Sequence, residues 1–212
     1  MGHLLIFEGI DGSGKSSQIS LLKEYLIENG EKVITTREPG GTEFGENCRE
    51  LFLKNKLDGN TETFLALASR NYHIINKIKP ALKKGYWVLC DRFSDSTIAY
   101  QGWGRGVSVE LIRQLSNQIE LEVKILKIIF FETNYQDNLK RLAKRQLIND
   151  KFEMESMQFF ERVTEGFKSA AIHRGNLGIS IDGSLSMSKV FKKIIEMIPE
   201  LKTLKSKRDG IN

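Results

Sequence analysis

Short apolar runs alternate along the chain with longer stretches in which apolar residues recur at helical spacing. The pattern continues from one end to the other without a Pro/Ser-rich linker. Polar or glycine-bearing turns flank each apolar run, which predicts strands at 3–8, 32–36, 86–91, 126–131 and 178–182. Alternation of this kind is typical of an α/β fold with a five-stranded parallel sheet and helices on both faces.

The intervening stretches predict the helices. The first begins near Lys15, carries an apolar stripe through Leu26 and ends at Asn29-Gly30. Further helices are predicted at 43–54, 61–79, 108–120, 135–147, 154–173 and 186–197. The polar residues from about 203 to 212 are expected to form a frayed tail.

Composition narrows the class of protein. A chain of 212 residues with 40% hydrophobic and 28% charged residues suits one domain spanning 1–212. Its net charge of +5 fits an anionic small substrate as readily as nucleic acid. Cys48 and Cys90 lack the spacing of a disulfide framework or a zinc site. No apolar run approaches the roughly 18 residues that span a bilayer, so we expect a soluble, cytoplasmic protein with no membrane partner.

A glycine-rich loop follows the first predicted strand and opens the first helix. Gly9, Gly12, Gly14, Lys15 and Ser16 fit the pattern G-x-x-x-x-G-K-[ST] without a mismatch. Such a loop turns backbone N–H groups toward phosphate oxygens, and the helix N-terminus adds partial positive charge. The lysine reaches the β- and γ-phosphates, while the serine hydroxyl is a ligand for Mg²⁺. The loop therefore predicts a P-loop NTPase-type fold that binds a nucleoside triphosphate.

Other predicted strand ends carry further charge, and ligands of parallel sheets lie beyond the carboxyl ends of the strands. Asp91 is placed to hold Mg²⁺ through water, and Arg92 offers a charged fork for a second anion, although the two could also form a surface salt bridge. The stretch REPGG at 37–41 lets the backbone approach a ligand closely, or is only a tight turn. Arg49 and Arg70 have apolar neighbours in sequence and could point inward, where an anion would offset the cost of burial.

Several longer motifs together resemble the thymidylate kinase family over nearly the whole chain. These motifs are FEGIDGSGKSSQ, TREPGGT, TETFLALASR, DRFSDSTIAYQGWGRG, KRLAKRQLINDKFE and FFERV. The resemblance implies transfer of the ATP γ-phosphoryl group to dTMP, giving dTDP and ADP for dTTP synthesis and DNA replication. It also implies Mg²⁺ as cofactor and a homodimer, with no nucleic-acid partner.

The resemblance assigns roles to individual residues. The loop residues that bind ATP are Gly9, Ile10, Asp11, Gly12, Ser13, Gly14, Lys15, Ser16 and Ser17. Asp11 also resembles the acid that touches the acceptor 3′-hydroxyl, and Arg49 and Arg92 match arginines that hold its 5′-phosphate. Ser16 and Asp91 are the metal-binding candidates, while Glu38 matches a glutamate near the phosphates.

The remaining assignments concern the pyrimidine and the ribose. Arg70 matches an arginine that hydrogen-bonds the thymine carbonyl, and Thr97 and Gln101 fall where side chains read the pyrimidine edge. Tyr100 resembles a tyrosine that packs near C2′ and disfavours ribose. The family usually has a stacking phenylalanine four residues before this arginine, where the present chain has Ala66.

Residues 140–153 resemble a lid that closes over the triphosphate, with Lys144, Arg145 and Lys151 as its basic side chains. One branch of the family carries an arginine within the phosphate loop, where this chain has Ser13. The resemblance therefore favours Arg145 of the lid as the catalytic cation, unless these residues form only a solvated basic helix face. The catalytic set is then Lys15, Glu38, Asp91, Arg92 and Arg145.

Three other functions fit parts of the sequence. Another small-molecule P-loop kinase would retain the loop and Asp91-Arg92 without needing both Arg49 and Arg70. A GTP-binding switch is suggested by Asn55-Lys56-Leu57-Asp58, but this NKxD follows a helix rather than a late strand. A nucleic-acid-binding protein would explain the basic tail, yet no RNP-like pattern or zinc finger accompanies it. The three histidines, His3, His73 and His173, are interpreted as structural.

Overall fold

A five-stranded sheet forms the centre of the computed structural model, which describes residues 2–133, 138 and 155–209. The strands are β1 His3–Glu8, β2 Val33–Arg37, β3 Trp87–Asp91, β4 Ile125–Glu132 and β5 Gly178–Asp182. All pairings are parallel, in the order β2-β3-β1-β4-β5. The predicted fold class is confirmed.

Helices cover the sheet. They are α1 Lys15–Glu28, α2 Glu43–Lys54, α3 Gly59–His73, α4 Lys79–Lys83, α5 Ser94–Thr97, α6 Val109–Glu120, α7 Met157–Arg174, α8 Met187–Met197 and α9 Pro199–Asp209. Two stretches of π-helix continue the chain, Ile74–Ile78 after α3 and Ile98–Gly104 after α5. Residues 94–104 thus form one helical segment.

Alternation along the strands divides the core between the two faces of the sheet. Leu4 and Ile6 of β1 pack with side chains from α7 and the α3–α4 region, whereas Leu5 and Phe7 pack with α1, α8 and α9. Because both faces are covered, β1 is apolar at every position from Leu4 to Phe7 and reads as one continuous hydrophobic run.

The parallel register brings the carboxyl ends of three strands level. Asp91 at the end of β3 lies between Phe7 of β1 and Arg37 of β2. The phosphate loop and the residues after β2 and β3 therefore meet at one edge of the sheet.

Most predicted boundaries match the structure closely. The bounds of β1 and β5 are those predicted, and the other strand ends move by one residue. The helix predicted at 61–79 is instead α3, a π-helical stretch and α4. The helical segment at residues 94–104 was not predicted, and the helix predicted at 135–147 lies outside the described residues apart from residue 138.

Helix α9 extends to Asp209, into the stretch from about 203 to 212 that was predicted as a frayed tail. Leu201 and Leu204 are buried in the core cluster formed with α1 and α8. Two leucines in a largely polar stretch are a weak signal by themselves, and the surface that they contact comes from distant parts of the chain.

Within the described residues, no helix combines the length and apolar character that a bilayer crossing requires.

The NKxD tetrapeptide lies between α2 and α3, where Asp58 caps α3 by accepting hydrogen bonds from the backbone N–H groups of Asn60 and Thr61. Its aspartate has a local structural role.

Candidate active site

The phosphate loop owes its shape to glycines with positive φ. Gly9, Gly12 and Gly14 have φ values of 137°, 78° and 104°, a region that glycine adopts without the penalty of a side chain. A Cβ on Gly9 would also lie 2.9 Å from the carbonyl oxygen of Phe131. The N-cap residue of α1 is Gly14, which has no side chain to cap the helix. The N-terminus of α1, with its partial positive charge, thus lies directly after the phosphate loop, as in sites that bind an anion.

Lys15 lies inside this loop and is buried. Its Nζ donates hydrogen bonds to the carbonyl oxygens of Gly9, at 2.8 Å, and Ile10, at 3.0 Å. Burial and the nearby Arg92 lower the pKa of Lys15, and Asp91 is the strongest of the carboxylates that oppose them. The ammonium group is thus held where the loop backbone turns around its predicted phosphate.

Asp91 and Ser16 are the residues predicted to hold a divalent cation. Asp91 Oδ1 is buried and has no hydrogen-bond partner among the described residues, although it ends a strand beside the loop. Ser16 is exposed in the first turn of α1. Mg²⁺ prefers such hard oxygen ligands and keeps several waters, so the two side chains fit this metal.

Arg92 joins the loop after β3 to the phosphate loop. It is the one non-glycine residue with positive φ among those described, at 69°. Its guanidinium donates to Asp11 Oδ1 at 2.8 Å, to Ser96 Oγ at 3.1 Å and to the Tyr100 hydroxyl at 3.3 Å. Burial acts to raise the pKa of Asp11, but Arg92 and then Lys15 outweigh it and lower this pKa to about 2.

Glu8 holds the segment that follows Arg92, and sequence reasoning missed it. Its carboxylate accepts hydrogen bonds from the backbone N–H groups of Phe93, at 2.7 Å, and Ser96, at 3.1 Å, and from Ser96 Oγ at 2.6 Å. Burial and the neighbouring Asp95 raise the pKa of Glu8 to about 7, although the hydrogen bonds and Arg92 act against them. The sequence signal that could have identified Glu8 is an acidic residue directly after the apolar run of β1.

Arg70 and Glu38 form a buried ion pair that His73 extends. Arg70 Nε donates to Glu38 Oε2 at 2.7 Å, and both side chains are nearly inaccessible, with exposures of 2% and 4%. His73 lies between Glu38 Oε1, at 2.9 Å, and Thr36 Oγ1, at 2.7 Å. The histidine interpreted as structural thus fixes the carboxylate that holds Arg70.

The two terminal nitrogens of the Arg70 guanidinium differ in their contacts. Nη2 donates hydrogen bonds to the carbonyl oxygen of Phe93 and to Thr97 Oγ1, at 3.0 and 2.9 Å. Nη1 is buried without a hydrogen-bond partner in the described part of the chain. An unpaired buried donor is costly, so this atom is a candidate ligand contact.

Residues 94–104 present two neighbouring rows of side chains. Ser96 and Tyr100 contact Arg92, whereas Thr97 contacts Arg70 and Gln101 contacts Glu62. Because residues four apart lie on one side of a helix, Ser96 and Tyr100 form one row, beside Arg92, and Thr97 and Gln101 form the other.

Arg49 approaches the same region from α2. Its Nη1 donates to the carbonyl oxygen of Pro39 at 3.4 Å, and its charge contributes to the lowered pKa of Asp11. Ala66 is buried on α3, whereas Phe64 is 60% exposed on another side of the same helix. Phe64 therefore does not replace the aromatic side chain usual at the position of Ala66.

A cavity of about 350 Å³ lies beside the phosphate loop. Its lining includes Gly12, Ser17 and Gly183, and Gly183 follows β5 in the turn at 182–184. From its position after the last strand alone, this turn is predicted to contribute to the adenine pocket.

Ser13 is buried in the phosphate loop, and its Oγ has no hydrogen-bond partner among the described residues. The predicted lid, with Lys144, Arg145 and Lys151, lies outside the described residues.

Comparison with known proteins gives a consistent result. The family model described as thymidylate kinase matches residues 7–194. A thymidylate kinase from Kosmotoga olearia is 42% identical over 192 residues, covering 90% of this chain and 92% of its own length. One from Caldicellulosiruptor saccharolyticus is 42% identical over 203 residues, covering 94% and 97%. The crystal structure of thymidylate kinase from Ehrlichia chaffeensis has a TM-score of 0.73 and 34% identity, covering 92% of this chain and 97% of that one.

Proposed function

This chain belongs to the thymidylate kinase family, and we propose that it transfers the γ-phosphoryl group of ATP to dTMP, giving dTDP and ADP for dTTP synthesis. The observation that carries the proposal is the 2.8 Å contact between Arg92 and Asp11, which joins a second anion site to the phosphate loop. A phosphate donor and a phosphate acceptor can then meet at one edge of the sheet.

Charge neutralisation and alignment are the main chemical tasks of this reaction. Both reactants are anions, so their like charges must be offset and their oxygens held in line. Lys15 and the loop N–H groups act on the donor, while Arg92 and Arg49 act on the acceptor phosphate. An acceptor phosphate oxygen is already ionised, and the reaction therefore needs no general base.

Recognition of the acceptor nucleoside follows from the two rows on residues 94–104. Asp11 and Tyr100, which both contact Arg92, lie toward the deoxyribose. Arg70, Thr97 and Gln101 bind the base. Glu38 supports this group by holding Arg70 in place.

The fit of Asp91 and Ser16 to a hard cation supports Mg²⁺ as the cofactor. When bound, Mg²⁺ would neutralise charge on the triphosphate. Asp91 would hold the ion from the end of β3 and Ser16 from the first turn of α1.

A homodimer is supported by exposed apolar side chains on one side of α2 and the α3 region. They are Phe44, Leu51, Tyr72 and Ile75, and the rings of Phe44 and Tyr72 lie 5.0 Å apart. Burial of such a surface between two copies would remove it from water.

We also propose that residues 1–212 form one domain with a lid at 140–153, in which Arg145 supplies catalytic charge. We propose further that the enzyme acts in the cytoplasm.

A coupled ADP-release assay tests the reaction. With ATP and Mg²⁺ present, dTMP should be among the best acceptors in a set that also contains dUMP, dCMP, dGMP and thymidine. Lys15→Ala should abolish most turnover with the fold intact, whereas Lys23→Ala, at an exposed position on the same helix, should not. Poor activity with dTMP, or near-normal rates in Lys15→Ala, would contradict the proposal.

A further inference from the structure

Gln101 has an amide that can face a ligand in either of two ways. Its Nε2 donates a hydrogen bond of 3.0 Å to Glu62 Oε2. Glu62 is completely buried near the start of α3. With the nitrogen engaged by Glu62, the carbonyl oxygen Oε1 is the end of the amide that remains for a ligand.

Glu62 is itself held in the role of acceptor. Its Oε2 also faces Arg105 Nε at 3.3 Å, and Arg105 contacts Glu155 Oε1 at 2.7 Å through its other end. Since Arg105 can only donate hydrogen bonds, it stabilises Glu62 as a carboxylate acceptor. A reversed Gln101 amide would bring its oxygen against this carboxylate, where two acceptors repel each other.

The second base-reading group is Arg70 Nη1, an unpartnered donor in the described part of the chain. Arg70 and Gln101 are linked through Thr97, which accepts from Arg70 and lies four residues before Gln101. The pair therefore offers one donor and one acceptor. A 4-oxopyrimidine presents the complement, an O4 acceptor beside an N3–H donor, whereas a 4-aminopyrimidine presents the reverse order.

We propose that Glu62 is a positioning residue for base selectivity, because it fixes the Gln101 amide with its oxygen available to the base. This inference rests on the proposed function. Glu62 contacts no substrate and acts through Gln101. It makes the enzyme select 4-oxopyrimidine nucleotides, such as dTMP and dUMP, over the 4-amino nucleotide dCMP.

Glu62→Gln tests this role because glutamine can donate or accept, so that either orientation of the Gln101 amide becomes possible. We expect the ratio of kcat/KM for dTMP to kcat/KM for dCMP to fall at least about tenfold. The change should appear in the KM values of the two acceptors, with the KM for ATP unaltered. An unchanged ratio would overturn the inference.

The matched control is Glu120→Gln. Glu120 is also largely buried and paired with an arginine, Arg174, at 3.0 Å, but the described partners of its carboxylate are Arg174 and Ser94 rather than Gln101. This substitution should lower Tm and leave the nucleotide ratio unchanged. If Glu120→Gln shifts the ratio as much as Glu62→Gln, the effect is a general loss of structure and the inference is wrong.

A double-mutant cycle identifies the route of the effect. In a Gln101→Leu background, Glu62→Gln should no longer alter the ratio, since the amide that it orients is gone. A full effect in that background would overturn the assignment. Should Glu62→Gln fail to fold, Glu62→Asp provides the same test, because its shorter side chain withdraws the carboxylate from the Gln101 nitrogen.

Phosphorylation of dTMP by the wild-type protein distinguishes a failure of the proposed function from a failure of the role assigned to Glu62. If the protein does not phosphorylate dTMP, the proposed function is wrong. If it does phosphorylate dTMP but its ratio is insensitive to Glu62→Gln, only the role of Glu62 is wrong.

Discussion

Arg92 donates a 2.8 Å hydrogen bond to Asp11, although the two residues lie 81 positions apart in the chain. The parallel register of β1 and β3 makes this contact possible, because it aligns Phe7 with Asp91 and so brings the following loops together. The backbone of Arg92 has a φ of 69°. Arg92, whose guanidinium contacts the phosphate loop, is thus held in a backbone conformation that arginine rarely adopts.

Arg92→Gly and Arg92→Ala should both lose turnover but differ in stability. Each removes the same side-chain contacts, while only alanine retains the steric penalty of a left-handed backbone. Arg92→Gly should therefore be more stable than Arg92→Ala by about 1 kcal/mol, measured by urea denaturation. Equal stabilities would argue against backbone strain at this position, and near-normal kcat in either variant would refute the role of Arg92.

Glu38→Gln should destabilise the protein by about 3–5 kcal/mol, because it leaves the buried Arg70 without its counter-ion. The same substitution at Glu46, whose salt bridge with Arg37 is about half exposed, should cost less than about 1 kcal/mol. Chemical denaturation of both variants gives the comparison. A loss at Glu38 no larger than that at Glu46 would contradict the importance of the buried pair.

Gly41→Ala should be more harmful than Gly30→Ala, even though both glycines have nearly the same φ, 76° and 78°. A Cβ at Gly30 meets nothing within 4 Å, whereas one at Gly41 would lie 2.4 Å from Thr36 Oγ1 and 2.6 Å from His73 Nε2. Beyond the shared backbone penalty, we expect about 1–3 kcal/mol of further destabilisation and a higher KM for dTMP. Equal Tm losses in the two variants would show that the contact with His73 is unimportant.

Glu8→Gln should change how stability depends on pH. The pKa of Glu8 is raised to about 7 in the folded protein, against 4.5 as its ordinary value. Between these values the folded state binds more protons than the unfolded state, so the contribution of Glu8 to the free energy of unfolding falls as pH rises. The fall ends near pH 7 and amounts to about 3 kcal/mol for a shift of this size.

Glutamine does not titrate, so the stability of Glu8→Gln relative to wild type should increase from about pH 4.5 to 7 and then level off. Denaturation curves of both proteins across this pH range measure the difference in their free energies of unfolding. Groups that titrate alike in the two proteins contribute equally to both and so do not affect this difference. A difference independent of pH would show that Glu8 titrates normally.

Leu201→Ala should destabilise the protein by about 2–5 kcal/mol, because Leu201 is fully buried in the core beneath α9. Tyr25 also donates a hydrogen bond to its carbonyl oxygen at 3.2 Å, which docks α9 on α1. Lys202→Ala, at the exposed neighbouring position, should have little effect. A small loss in Leu201→Ala would show that the packing of α9 contributes little to stability.

The sequence by itself determined the strands, most helices and the phosphate loop of this protein. The bounds of β1 and β5 follow from runs of apolar residues closed by polar turns. The loop follows from glycines whose positive φ values no other residue type adopts as readily. These features depend on neighbours close in the chain, which is why local patterns predict them.

Only the tertiary structure decided which polar side chains act together. Glu8 binds backbone N–H groups of Phe93 and Ser96 from 85 and 88 residues away, and Glu62 orients Gln101 from another helix. No spacing in the sequence encodes such pairs. They arise because parallel strands bring distant loops to one edge of the sheet, and because burial then requires each polar group there to find a partner.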